Sequence, residues 1–181
     1  MDLSADALAA DQALKRPAGV SLTITLQLLD AGVGVDELAD RAVYLWHCGR
    51  DGLYSLCSNG FGAHSYLRGL QQADHNGAVT FHGMFPACYA GNMPHIYLEV
   101  YPSLARSGSA AKRIHSIAFT FPLSTLREAY ACPGYEQSAR NLAKTSSQSY
   151  ANEPGVVMPV AAVSGNAIDG YAVALRVPVV A

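Results

Sequence analysis

Val20 to Leu29, VSLTITLQLL, sets Val20, Leu22, Ile24, Leu26 and Leu28 in alternation with Ser21, Thr23, Thr25 and Gln27. Successive side chains on a strand point to opposite faces, so this period of two predicts a β-strand with one face on a core. Shorter extended segments follow at Ala42–His47, at Val79–Phe81, at His95–Tyr101 and at Arg113–Phe121, and a last one lies within Gly165–Val180. Turn signals separate them at Asp30–Gly34, Arg50–Gly52 and His75–Gly77, the last with an Asn-Gly pair that predicts a hairpin. Short strands punctuated in this way predict an all-β, single-domain β-sandwich. Pro122–Ala131 reads as a short helix begun at Ser124, and 133–154 reads mostly as loop. Residues 1–18 form a separate N-terminal segment, helical or extended, with the domain proper at 19–181.

Composition narrows the function classes. In 181 residues, 50% are hydrophobic and only 14% charged, which fits a folded domain with a substantial core. The net charge of −2 provides no electrostatic footprint for nucleic acid. No apolar run reaches the ~18 residues of a membrane span. The N-terminus lacks a basic leader followed by a long apolar core, so the chain as written reads as cytoplasmic. A chain whose leader had been removed would read the same way and would be secreted. Cys48, Cys57, Cys88 and Cys132 show no metal-type spacing and read as buried thiols, with one disulfide among Cys48, Cys57 and Cys88 open if the protein is exported.

The chemistry concentrates in residues 81–101, FHGMFPACYAGNMPHIYLEVY. A strand through Phe81 breaks at Pro86, a loop of small residues carries Tyr89, and a second strand resumes at His95. Alternation places His95, Tyr97, Glu99 and Tyr101 on one face of that strand, and Ile96, Leu98 and Val100 on the core face.

This stretch resembles the signature of the intradiol ring-cleavage dioxygenases, F-x-T-x-x-P-G-x-Y followed by R-x-x-H-I-H. Further segments agree in order: Trp46-His47, Gly52-x-Tyr54-Ser55 and Leu67-Arg68-Gly69-x-Gln71. Many relatives with this motif layout are secreted. The resemblance implies a β-sandwich of the intradiol dioxygenase type with short helices in loops, covering about residues 19–177. The family holds non-haem ferric iron with two tyrosines and two histidines and opens catechols between their hydroxyls. Tyr54 and Tyr89 fall on the tyrosine positions and His95 on the first histidine. Three positions depart: Tyr97 replaces the second histidine, Asn92 the arginine, and Ala87 the loop glycine.

These departures set the functional expectation. The arginine is thought to stabilise charge building on the substrate as oxygen attacks, and a neutral, shorter Asn92 cannot supply that charge. No arginine lies between Arg68 and Arg106 to compensate. The reading favoured is an enzyme without a metal cofactor. In it Tyr54, Tyr89, His95 and Tyr97 carry out acid–base chemistry, an isomerisation, cyclisation or dehydration, on an aromatic or polyketide-like small molecule. The alternative retains Fe(III) on Tyr54, Tyr89, His95 and Tyr97, a donor set that hard ferric iron accepts, and cleaves a catechol-like ring. A third reading is a non-catalytic binder of aromatic ligands. Arg68, Gln71, Asn92 and His82 are the candidate substrate-binding residues. Arg68 reads equally as a salt-bridging residue, and His82 as a partly exposed strand residue. A homo-oligomer is left open.

Overall fold

The computed structural model describes residues 19–30, 38–56, 67–89, 91–145 and 158–179. The N-terminal segment and Cys57 lie outside them. Among the described residues eight strands form two four-stranded sheets. In one sheet β1 (Ser21–Asp30) pairs antiparallel with β4 (Ala78–Met84) and parallel with β8 (Gly170–Val179), which in turn pairs with β7 (Ala162–Asn166). In the other, the order is β3 (Arg68–Gln72), β2 (Ala42–Trp46), β5 (Ile96–Tyr101), β6 (His115–Phe119), all antiparallel. This is the β-sandwich predicted.

The core lies between the sheets. Leu22, Ile24, Leu26 and Leu28 of β1 are fully buried, as are Ile96, Leu98 and Val100 of β5. Each such side chain contributes about 1.5–3 kcal/mol relative to exposure, which fixes the register of both strands. Phe85 fills one end, its ring against Phe121, Tyr130 and Tyr171.

Three local expectations need correction. The Asn-Gly turn exists, with Gly77 at φ +74° and its amide donating to the Asp74 carbonyl. However, β3 and β4 belong to different sheets, so the turn carries the chain across the sandwich instead of closing a hairpin. Local turn chemistry does not say which partner a strand then finds. The first helix, α1 (Leu123–Ala129), has Pro122 as its N-cap and so begins one residue ahead of Ser124. Within 133–154, a second helix, α2 (Glu136–Leu142), occupies what read as loop. At seven residues it is too short for a clear helical period.

Candidate active site

Two loops and one strand end build the site. The first loop follows β2. Gly49 accepts the amide of Gly52 and donates to the Leu53 carbonyl, while its own carbonyl receives the Ala87 amide and ties this loop to the second. Gly52 sits at φ +80°, where a side chain is disfavoured. A Cβ there would lie in ordinary contact, 3.4 Å from the Cβ of Tyr89, so the backbone conformation and not crowding calls for glycine. Tyr54 emerges from this turn, half-buried, and Ser55 behind it is buried.

The second loop, Phe85 to Tyr89, lies outside the strands, and side chains of α2 and of the residues that end α1 and precede α2 bond much of its backbone. Tyr135 donates to the Phe85 carbonyl at 2.8 Å and Tyr130 to the Pro86 carbonyl at 3.0 Å. Ser138 Oγ accepts the Cys88 amide at 3.1 Å, and Asn141 Nδ2 donates to the Cys88 carbonyl at 2.7 Å. Buried backbone groups need such partners. Sequence reading missed these four positioning residues, because nothing local distinguishes a tyrosine that caps a distant loop from one that packs.

His95 precedes β5 and is 2% exposed. Thr120 Oγ1 holds the preceding Pro94 carbonyl at 2.6 Å. The ring's Nδ1 lies 2.7 Å from the Met93 carbonyl oxygen, which can only accept, so Nδ1 carries the proton and Nε2 a free lone pair. Nε2 faces the Tyr54 hydroxyl at 3.4 Å, longer than the usual ~2.8–3.2 Å. Burial lowers the His95 pKa, partly offset by the Met93 contact, and keeps the imidazole neutral.

The three tyrosines surround this ring. Tyr89 and Tyr97 meet it edge-on, at centroid distances of 6.1 and 4.5 Å, and Tyr54 meets Tyr89 edge-on at 6.1 Å. The Tyr54 hydroxyl also donates to that of Tyr89. Burial, then neighbouring thiol and phenol groups, push the Tyr54 phenol far above its ordinary range, and burial also raises Tyr89. Without a cation such as a metal, the phenols therefore keep their protons at neutral pH. The structure thus brings Tyr54, Tyr89, His95 and Tyr97 into one cluster.

The other candidates divide. Arg68 lies opposite Trp46 on the face of β3 that carries Tyr97 on β5. Its Nε and Nη2 donate to the Ser55 carbonyl at 3.1 and 2.8 Å, Nε also reaches Ser55 Oγ at 3.1 Å, and Nη1 donates to the Tyr44 hydroxyl at 3.1 Å. Gln71 sits in register with Val43 and Val100, on the inward face. The odd spacing from Arg68 separates the two, so they do not form one donor pair. Asn92 closes a turn on Tyr89, its amide donating to the Tyr89 carbonyl at 3.2 Å. His82 follows its reading as an exposed strand residue and not as a substrate ligand. It is exposed on the outer face of the other sheet, with Nδ1 at 3.2 Å from Thr23 Oγ1 across the strand pair, away from the cluster.

Tyr97 is held by aromatic packing. Its ring stacks on Trp46 at 5.1 Å and 13°, and Trp46 stacks on Tyr44 at 5.3 Å and 29°. His47 is buried, with Nδ1 2.9 Å from the Cys48 carbonyl. Cys48, Cys88 and Cys132 are free thiols, the first two buried, and burial pushes the Cys48 thiol up to about 12. Among the described residues no three His, Cys, Asp or Glu side chains gather into a metal-binding group, and none of their helices is long and apolar enough to cross a membrane.

The two-sheet sandwich has the fold of the intradiol ring-cleavage dioxygenases. The chain is similar to an intradiol ring-cleavage dioxygenase from Tetranychus urticae, with 21% identity and a TM-score of 0.67 over 90% of this chain and 82% of that one. The dioxygenase domain of a dioxygenase–carbohydrate-binding protein fusion from Streptomyces sp. SirexAA-E is 17% identical, with a TM-score of 0.56 over 99% and 87% of the two chains. With 3-chlorocatechol 1,2-dioxygenase from Rhodococcus opacus 1CP the identity is 16% and the TM-score 0.52, over 88% of this chain and 58% of that one. No protein-family model and no curated protein matches the sequence. Likeness at these identities is likeness of fold, and function has to be argued from the site.

Proposed function

We propose that this chain is an enzyme on the intradiol dioxygenase fold whose His95–tyrosine cluster transfers protons on an aromatic or polyketide-like small molecule. The observation that carries this reading is the lone pair of His95 Nε2, fixed by the Met93 carbonyl and facing the Tyr54 hydroxyl. A neutral imidazole with an oriented lone pair is a general base, and such a group contributes roughly 10²–10⁴ in rate. Phenols held protonated by burial are donors for an oxyanion.

In an isomerisation, His95 Nε2 takes a proton from carbon beside a substrate carbonyl. The C–H electron pair moves into the new enol double bond, and the carbonyl pair moves onto oxygen, where Tyr54 or Tyr89 donates a hydrogen bond. Return of the proton from Nε2 to a different carbon closes the cycle with no net proton consumed. In a dehydration, the phenol proton goes to the departing hydroxyl, which leaves as water, and the proton gathered at His95 restores the phenol through the Tyr54 contact. Asn92, neutral where the family's arginine stands, supplies no positive charge, which suits a site that works through neutral hydrogen-bond donors.

A second reading rests on the same lone pair. Nε2 of His95 with the oxygens of Tyr54, Tyr89 and Tyr97 is a donor set suited to ferric iron, and the Met93 carbonyl is the outer partner that orients a ligating histidine. Bound there, iron would supply Lewis acidity and redox capacity toward a catechol-like ring. This chain's part would be to surrender the phenol protons, which burial resists.

Metal content and the visible spectrum of protein purified under iron-replete conditions test the two. Metal-free chemistry predicts colourless protein whose turnover survives chelators and fails with His95→Gln or Tyr54→Phe. Near-stoichiometric iron with a broad tyrosinate-to-iron band overturns it in favour of the second reading. Ligand affinity that survives both substitutions, with no product, marks a binding protein.

A further inference from the structure

We propose that Arg68 is a positioning residue that sets the Tyr54–His95 contact, resting on the reading of that pair as the working centre. Its guanidinium clasps the Ser55 carbonyl in a fork, Nε at 3.1 Å and Nη2 at 2.8 Å, and Nε also reaches Ser55 Oγ. Ser55 is the residue directly after Tyr54 and is 1% exposed, so its carbonyl has no access to bulk water and needs a protein donor. A planar fork fixes both distance and direction of that carbonyl, which a single ammonium does not.

The same guanidinium reaches His95 from the other side. Nη1 donates to the Tyr44 hydroxyl at 3.1 Å. From Tyr44 the contacts run through the stacked rings of Trp46 and Tyr97 to the edge of His95. Tyr54 closes the circuit at His95 Nε2. Tyr44, Trp46, Tyr97, His95, Tyr54, Ser55 and Arg68 thus form a closed loop of contacts, in which Arg68 is the one charged member. It holds the phenol on one arm and the aromatic ladder that backs the imidazole on the other.

The local backbone agrees with such a brace. Leu56, just after Ser55, and Leu67, just before Arg68, both hold positive φ, +65° and +55°. Leucine disfavours that conformation and adopts it where surrounding contacts impose it. Both residues flank the Arg68–Ser55 clasp. Arg68 is therefore engaged within the protein and acts on chemistry through Tyr54.

The test is a double-variant cycle read at His95 by the ¹⁵N resonance of Nε2, with no substrate present, beside a thermal melt of each variant. Tyr54→Phe removes the hydroxyl facing Nε2 and shifts that resonance. Arg68→Gln is expected to shift it in the same direction and by most of that amount, and the Arg68→Gln/Tyr54→Phe protein is expected to match Tyr54→Phe alone. Shifts that add in the double variant overturn the proposal, as does a native His95 resonance in folded Arg68→Gln or in Tyr54→Phe. Should Arg68→Gln fail to fold, Arg68→Lys and Ser55→Ala are expected to give smaller shifts in the same direction, and no shift from either overturns it. Because no substrate enters, absence of turnover with these shifts intact would sink the functional reading and leave the brace standing.

Discussion

Nε2 of His95 and the hydroxyl of Tyr54 face each other at 3.4 Å, in a cluster where burial lowers the imidazole pKa and raises the phenol pKa. The two shifts point the same way chemically: proton on the phenol, lone pair on the ring. In alkaline titration followed by tyrosinate absorbance, Tyr54 is therefore expected to stay protonated through a first phase near ~10, where phenols of ordinary pKa ionise. Tyr54→Phe should leave that first phase unchanged, and loss of amplitude from it would show that Tyr54 titrates as an exposed phenol.

Stability should fall in acid because of His47. Its imidazole is fully buried and its pKa is lowered to about 4, mainly by burial. Unfolded, the ring binds a proton below ~6.5, so between ~6.5 and about 4 the unfolded chain holds more protons and stability declines as pH falls. The stability present above ~6.5 is lost by about 3 kcal/mol as pH passes down through the folded value. His95, shifted in the same direction, adds to the slope. Urea denaturation at steps between pH 7 and 4 measures it, and His47→Asn is expected to flatten the curve.

Tyr135 ties three parts of the chain, donating to the Phe85 carbonyl at 2.8 Å and accepting the Val20 amide at 3.3 Å. Tyr135→Phe leaves both buried backbone groups without this partner and is expected to cost about 2 kcal/mol. The urea midpoint should drop with the m-value unchanged. A loss below a few tenths would mean that the Phe85 loop repairs itself.

Tyr97→His with Asn92→Arg reverses two of the three departures from the family pattern. Under iron-replete conditions the pair is expected to raise both bound iron and catechol cleavage above the parent protein, read by metal analysis and oxygen uptake. The histidine also gives up the face of Trp46, the only tryptophan, so its fluorescence should change and stability should drop by about 1 kcal/mol. Unchanged iron content in the rebuilt protein would show that the scaffold, and not these two side chains, sets metal affinity.

Period-two alternation determined β1 and β5 from sequence alone, because a strand's faces are set by parity and Leu22 to Leu28 and Ile96 to Val100 could bury only one way. The grouping of Tyr54, Tyr89, His95 and Tyr97 was legible too, though through the order of motifs and not through spacing. What sequence could not decide were relations between distant segments. The Asn76-Gly77 turn was visible, yet which sheet receives β4 depends on the pairing with β1 fifty residues earlier. His82 could be assigned to the outward face of its strand but not to a particular side of the sandwich. Arg68 read equally as substrate ligand or surface residue, because its partners Ser55 and Tyr44 lie on other elements and come within reach only once β3 is in register with β2. Side-chain direction along a strand is a local property of the backbone. The partner at the end of a long side chain is set by tertiary packing.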